Sequence, residues 1–133
     1  MAQLFDLKNN TKFAPSIKPQ TASADVNGDE VDTLGFSSVT LVGYMDDTAS
    51  AEGSFKIQES DTSGSGYVDV SDDEVITADG TNDTAAVAAD VVTLGYAGTK
   101  RYVRGVFTHV SNADVAATVC LGNPYVAPTG ANS

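Results

Sequence analysis

From residue 31 onward the chain alternates with a period of two. In "SSVTLVGY" (37–44), Val39, Leu41 and Gly43 share one side, with Ser38, Thr40, Val42 and Tyr44 on the other. In "SFKIQES" (54–60), Phe55 and Ile57 alternate with Lys56 and Gln58. That period places successive side chains on opposite faces of a half-buried strand. "GYVDV" (66–70) is a shorter strand carrying Val68 and Val70. "VVTLGY" (91–96), "KRYVRGVFTHV" (100–110) and "VAATVCLG" (115–122) complete the set and are rich in β-branched and aromatic residues. Between the runs fall turn-forming stretches, "DDTASAEGS", "DTSGSG", "GYAGTK" and "SNAD". The spacing predicts an all-β fold, an antiparallel β-sandwich or jelly-roll-like barrel, with at most one or two short helical turns. One turn is expected where Ser71-Asp72-Asp73-Glu74 has capping-box order. A second is expected at "NDTAAVAAD" (82–90), whose alanines favour helix but whose length leaves the outcome to packing.

The first 20 residues follow a different plan. Pro15 and Pro19 remove donors and fix extended backbone, while Leu4, Phe5, Leu7, Phe13 and Ile17 are scattered without period. This reads as an extended N-terminal arm over residues 1–24, followed by a single β-sandwich domain over 25–133. Fully stretched, such an arm spans about 66 Å, against a radius of gyration of roughly 14 Å for the domain. It can fold back or cross to a neighbour, and its exposed-type apolar residues favour the neighbour. The arm also carries Lys8, Lys12 and Lys18 against a lone Asp6, whereas the rest of the chain holds 17 acidic and four basic residues. With a net charge of −11 the chain lacks the basic footprint that phosphate backbones require, which argues against nucleic acid. No apolar run reaches the length of a membrane span, and "MAQLFDLKNN" lacks the plan of a signal peptide, so a soluble cytoplasmic product is expected.

Signals for catalysis are thin. The single histidine, His109, lies in strand-like "VFTHV" and reads as structural or solvent-facing. The single cysteine, Cys120, excludes an intrachain disulfide and reads as a buried small hydrophobe. Together they fall short of a zinc set. There is no Gly-x-Ser-x-Gly elbow, and "GYAGTK" lacks the ending of a phosphate loop. No cofactor is implied.

The acidic stretch "DVNGDEVD" (25–32) tests the calcium alternative. Asp25, Asn27 and Asp29 match ligand positions 1, 3 and 5 of an EF-hand loop. Glu30 then stands where glycine is required, and Phe36 where the bidentate acid belongs. Asn27-Gly28 is itself a tight-turn signal, so a turn leading from the arm into the first core strand is expected rather than a metal site.

Three of the four remaining bases cluster at Lys100, Arg101 and Arg104. They are available either for ion pairs with the chain's own acidic loops or for an acidic protein neighbour.

Several segments in order resemble those of the capsid decoration, or cement, proteins of tailed bacteriophages. These are "APSIKP", "NGDEVDTLGF" leading into "VTLVGY", "FKIQESD" with a glycine turn and "YVDV", then "LGYAGTKRYVRGVF" and "VCLGNPYVAP". The resemblance implies a β-rich, non-enzymatic virion protein on the outer surface of a capsid shell. Its partners would be the major capsid protein and copies of itself, a trimer being favoured over a dimer. Under that reading the interface residues are Leu4, Phe5, Lys8, Lys12, Phe13, Ile17, Lys18, Lys100, Arg101 and Arg104. The competing readings are another phage head–tail or tail component, a secreted carbohydrate- or cell-surface-binding β-module, and, more distantly, a two-acid hydrolase.

Overall fold

The computed structural model describes residues 7–46, 52–86 and 91–125. A helical turn, α1 (Leu7–Asn10), leads into β1 (Thr11–Ala22), β2 (Val26–Asn27), β3 (Val31–Asp32), β4 (Phe36–Met45) and β5 (Gly53–Ser60). Then follow β6 (Val68–Asp69), β7 (Val75–Ile76), β8 (Thr84–Ala86), β9 (Val91–Tyr96), β10 (Tyr102–His109) and β11 (Ala113–Pro124). A 3-10 turn at Asp72–Glu74 separates β6 from β7, where capping-box order predicts it, although the Ser71 side chain makes no cap bond.

All pairings are antiparallel, and the strands form two sheets packed as a sandwich. The first has the order β1-β11-β4-β9-β7. The second has the order β2-β10-β5-β6, with β3 also on β10 and β8 also on β5. On β4 and β5 the inward phase is the one the alternation predicts. Val39 and Leu41 of β4, Phe55 and Ile57 of β5, Val103 and Phe107 of β10 and Val119 and Leu121 of β11 share one buried cluster. Phe55 and Phe107 meet at its centre with ring centroids 5.2 Å apart and planes tilted by 58°. Each such ring contributes about 1.5–3 kcal/mol by leaving water. Gly53 makes room for one of them: a Cβ there would stand 2.1 Å from Cζ of Phe107.

The expected arm is extended, but from Thr11 to Ala22 it is the edge strand of the first sheet, paired along β11 from Thr11–Gly122 to Ala22–Ala113. Ile17, expected at an interface, lies in the core instead. Pro15 and Pro19 fit because an edge strand has one side without ladder donors, and the register shifts on either side of Ile17. Ser16 is 1% exposed and stitches the two sheets together. Its hydroxyl donates to the Asp29 carbonyl and accepts from the Gly105 amide, both at 2.8 Å.

The "DVNGDEVD" stretch is not the tight turn that Asn27-Gly28 suggests. Both β2 and β3 run along β10, Val26 opposite Phe107 and Asp32 opposite Tyr102, with one extra residue between them. That is a β-bulge, and it throws Glu30 outward. Gly28 is needed for close approach: an added Cβ would lie 2.5 Å from Oγ of Ser16 and 2.7 Å from the Gly105 carbonyl oxygen. The helix expected at 82–90 is not formed over Thr84–Ala86, which pairs with β5 as β8; residues 87–90 lie outside the described residues. Here an available strand edge outweighs the alanines' helix propensity.

Candidate functional site

The two outer faces of the sandwich differ in chemistry. On the second sheet, charged side chains are spent on one another. Arg101 grips Asp32 through two parallel bonds of 2.9 and 2.8 Å. The guanidinium holds the Asp32 carboxyl below the usual carboxylate range. Lys100 pairs with Asp61 at 2.6 Å, and Lys18, on the β1 edge of the first sheet, lies 3.6 Å from Asp29. Arg104 donates twice to the Gln58 side-chain oxygen and stacks 4.4 Å above the Tyr67 ring. Gln58 in turn donates to Asp69, which also binds Lys56 at 3.1 Å. Those two donors, Gln58 first, hold the Asp69 carboxyl low.

The outward Glu30 is held by the "DTSGSG" loop. It accepts from the Ser63 hydroxyl, the Gly64 amide at 2.8 Å and the Tyr67 hydroxyl at 2.7 Å. These three donors, Ser63 foremost, lower the Glu30 pKa, while burial and this carboxylate push Tyr67 up. Deeper in, Glu59 accepts from the Tyr96 hydroxyl, which also receives the Lys100 amide. Burial, followed by Glu59, raises the Tyr96 pKa.

On the first sheet, the outward side chains form three cross-strand rows without a charge. One row runs Phe13, Cys120, Thr40, Gly95, Ile76 across all five strands. The next runs Pro15, Thr118, Val42, Thr93, and the third Ala116, Tyr44, Val91. Phe13 is 56% exposed, Tyr44 48%, Val91 59% and Ile76 67%. Acids flank one end of the face. There Asp114 accepts from the Thr21 hydroxyl, and Asp46 receives the Asp114 amide, beside the Tyr44 ring.

The sequence-predicted interface residues therefore separate. Leu4 and Phe5 lie outside the described residues. Phe13 stands on the uncharged face, Ile17 is core, and Lys8, in the helical turn, and Lys18 are exposed. Lys12 is half-buried on the edge strand. Lys100 and Arg101 take the intramolecular alternative, and Arg104 binds a neutral side chain. Cys120, expected among the buried residues, alternates outward and is half-buried, because Val119 and Leu121 take the inward positions. Burial raises its thiol pKa. Of the two valines of "GYVDV", Val68 in β6 is exposed, whereas Val70, just past the strand, is buried.

His109 has a structural setting, its Nε2 2.9 Å from the Asn112 side-chain oxygen and its amide on Asp25. The four acids of "DVNGDEVD" thus serve four different donors: the His109 amide, Lys18, the 63–67 loop and Arg101. Among the described residues no group of three His, Cys, Asp or Glu side chains is placed to hold a metal ion.

Sequence reasoning missed Asn82. Its side chain is buried against β5 and imitates a strand residue there. The amide oxygen accepts from the Ile57 N–H at 2.9 Å, while the NH2 donates to the carbonyls of Ile57 and Val70 at 2.8 Å. Nothing local in "GTND" signals that role, because Ile57 is 25 residues away.

No protein-family model matches the chain, and no curated protein matches it significantly.

Proposed function

We propose that this chain is a non-enzymatic virion structural protein, a cement or decoration subunit that binds the outer surface of a tailed-phage capsid and stabilises the shell. The observation that carries the reading is the uncharged outer face of the first sheet on a chain of net charge −11. A subunit repeated across a lattice needs broad protein contacts, each of modest strength, and multivalency supplies the rest. A neutral face about as wide as five strands suits such contacts, while the acidic remainder keeps coated particles apart. The resemblance of "GYAGTKRYVR" and its neighbouring segments to decoration proteins points the same way. Lys12 and Lys18, along the β1 edge, are the cations best placed for the shell itself, since the Lys18 pair with Asp29 is exposed and long at 3.6 Å while Lys100 and Arg101 hold Asp61 and Asp32 at 2.6 and 2.8 Å.

Quantitative mass spectrometry of purified phage heads tests this. The reading expects the chain in a fixed, lattice-like ratio to the major capsid protein, and its absence from heads would overturn it. Adding the recombinant K12E/K18E variant to stripped heads should give weaker retention than the native chain. Deleting residues 1–20 is uninformative, because it removes most of β1.

A second reading is a sugar-binding module, favoured by the half-exposed Tyr44 ring beside Asp46 and Asp114. A ring platform flanked by acceptors is a chemistry that holds sugars. Glycan-array binding abolished by Tyr44→Ala would support it, and an array without hits would remove it.

A further inference from the structure

We propose that Asn27-Gly28 is a conformation-gated modification site: it deamidates through a succinimide only when β2 lifts from β10, and the isoaspartate left behind keeps the bulge from closing again. The inference rests on this junction alone and stands whether or not the chain coats a capsid.

The chemistry belongs to the pair itself. Asn27-Gly28 is the one Asn-Gly pair in the sequence. Glycine brings no Cβ to hinder its own nitrogen and lets the chain bend back. The Gly28 amide nitrogen gives its proton to solvent base and attacks Cγ of Asn27. A nitrogen–carbon bond forms, the Cγ–Nδ2 bond breaks, and Nδ2 leaves as ammonia. Water then opens the ring at either carbonyl, giving aspartate or isoaspartate. Asn27 is exposed, so water and hydroxide reach it.

The fold withholds the nucleophile. The Gly28 N–H donates to the Gly105 carbonyl at 2.8 Å, and the next amide, that of Asp29, donates to the Ser16 carbonyl at 2.6 Å. The peptide groups on either side of Gly28 are therefore anchored, one to each sheet. Asn27 is in strand conformation opposite Val106, and extended backbone keeps the following nitrogen away from the side-chain carbon. Nor can Gly28 swing aside while the sandwich is closed, because the space a Cβ would take lies 2.5 Å from Oγ of Ser16 and 2.9 Å from the Ser16 carbonyl oxygen. Attack requires β2 to detach. With two residues it is among the short elements in which local opening is most frequent.

The isoaspartate product does not fit the closed bulge. It routes the main chain through its Cβ, which inserts a methylene before Gly28 and carries the Gly28 N–H off the Gly105 carbonyl. A further negative charge also arrives beside Asp25, Asp29 and Glu30. The aspartate product keeps the normal backbone and closes as before.

Peptide mapping by mass spectrometry, with isoaspartyl methyltransferase labelling, tests this on the full chain held at mildly alkaline pH. Conversion at Asn27 should be at least about tenfold slower in the folded chain than in the same buffer with unfolding urea; equal rates would overturn the gating. Ser16→Ala removes the hydroxyl that holds Gly105 and Asp29. It should speed conversion several-fold in the folded chain and leave the rate in urea unchanged, and an unaltered folded rate would overturn the role given to this junction. Should S16A fail to fold, hydrogen exchange of the Gly28 amide in the native chain takes its place. Urea below the unfolding transition should raise that exchange and the conversion rate in proportion, and conversion that does not follow exchange would contradict the proposal. Asn27→Asp should melt close to the native chain, whereas the isoaspartate form purified from aged protein should melt at least about 4 °C lower. Equal melting of the two would show that the bulge closes over isoaspartate after all.

Discussion

The two sheets of this sandwich are held together by different means. The first is built on a backbone ladder of long strands, with only β7 as short as two residues: β1 and β11 have 12 residues each and β4 has ten. Its hydrogen bonds are satisfied mainly along the strands, so the side chains of its three uncharged outward rows add little to the fold. The second sheet is assembled from fragments, with β2, β3 and β6 of two residues each and β8 of three. Side chains close the gaps that short strands leave, among them Asn82 against β5, Ser16 against Gly105, and Arg101 on Asp32. A buried backbone group without a partner is costly, so these side chains are structural in the strict sense. The comparison teaches that polar side chains, charged or neutral, mark where the fold needs help, and the uncharged rows of the first sheet mark a surface left available for contact.

Substitutions on the two sheets should therefore differ in cost. The largest loss is expected from Asn82→Asp, which removes both donors from the Ile57 and Val70 carbonyls and sets a carboxylate against them. About 3 kcal/mol or more should be lost in urea unfolding, and a loss below 1 kcal/mol would show that the second sheet does not depend on this stitch. Ser16→Ala comes next. It leaves the Gly105 amide and the Asp29 carbonyl without their bonds inside the structure, at a cost of about 1–3 kcal/mol. On the first sheet, Thr118→Ser changes an outward position that carries no structural bond, and thermal melting should move by less than about 0.5 kcal/mol equivalent.

The smallest effect is electrostatic and has a defined sign. Asp32 and Asp69 have folded pKa values below their unfolded ones, so their stabilisation is complete above the unfolded carboxylate range near pH 4. It is lost as pH falls through the lower folded values. Asp32→Asn should lower Tm at pH 7, and the difference from the native chain should close as the pH drops below about 4. A gap that persists in acid would assign the effect to packing instead.

Much of this fold was legible from alternation alone. Inside and outside were assigned correctly along β4 and β5, because a period of two with β-branched and aromatic residues has few other solutions. The short elements were not legible. Thr84–Ala86 looks helical by composition, and only the free edge of β5 makes it a strand. Asn27-Gly28 looks like a turn by chemistry, whereas its glycine answers to Ser16 and Gly105, neighbours set by tertiary packing. Residues 1–24 read as an arm because prolines interrupt their pattern, yet Ile17 and Ser16 belong to the interior of the sandwich. The uncharged face was open to reading as well, since every outward residue of "SSVTLVGY" and "VAATVCLG" is neutral. What the sequence hides is that these runs lie side by side, with Phe13 and Ile76 at the margins.

The most direct test of the difference between the faces is the same charge placed on each. Val42→Glu lies at the centre of the first sheet's outer face, and Thr108→Glu lies on the outer side of β10 in the second. Binding of the two folded variants to stripped phage heads, beside the native chain, should show V42E retained poorly and T108E retained like the native protein. Equal behaviour of the two variants, or loss of binding only in T108E, would contradict the account.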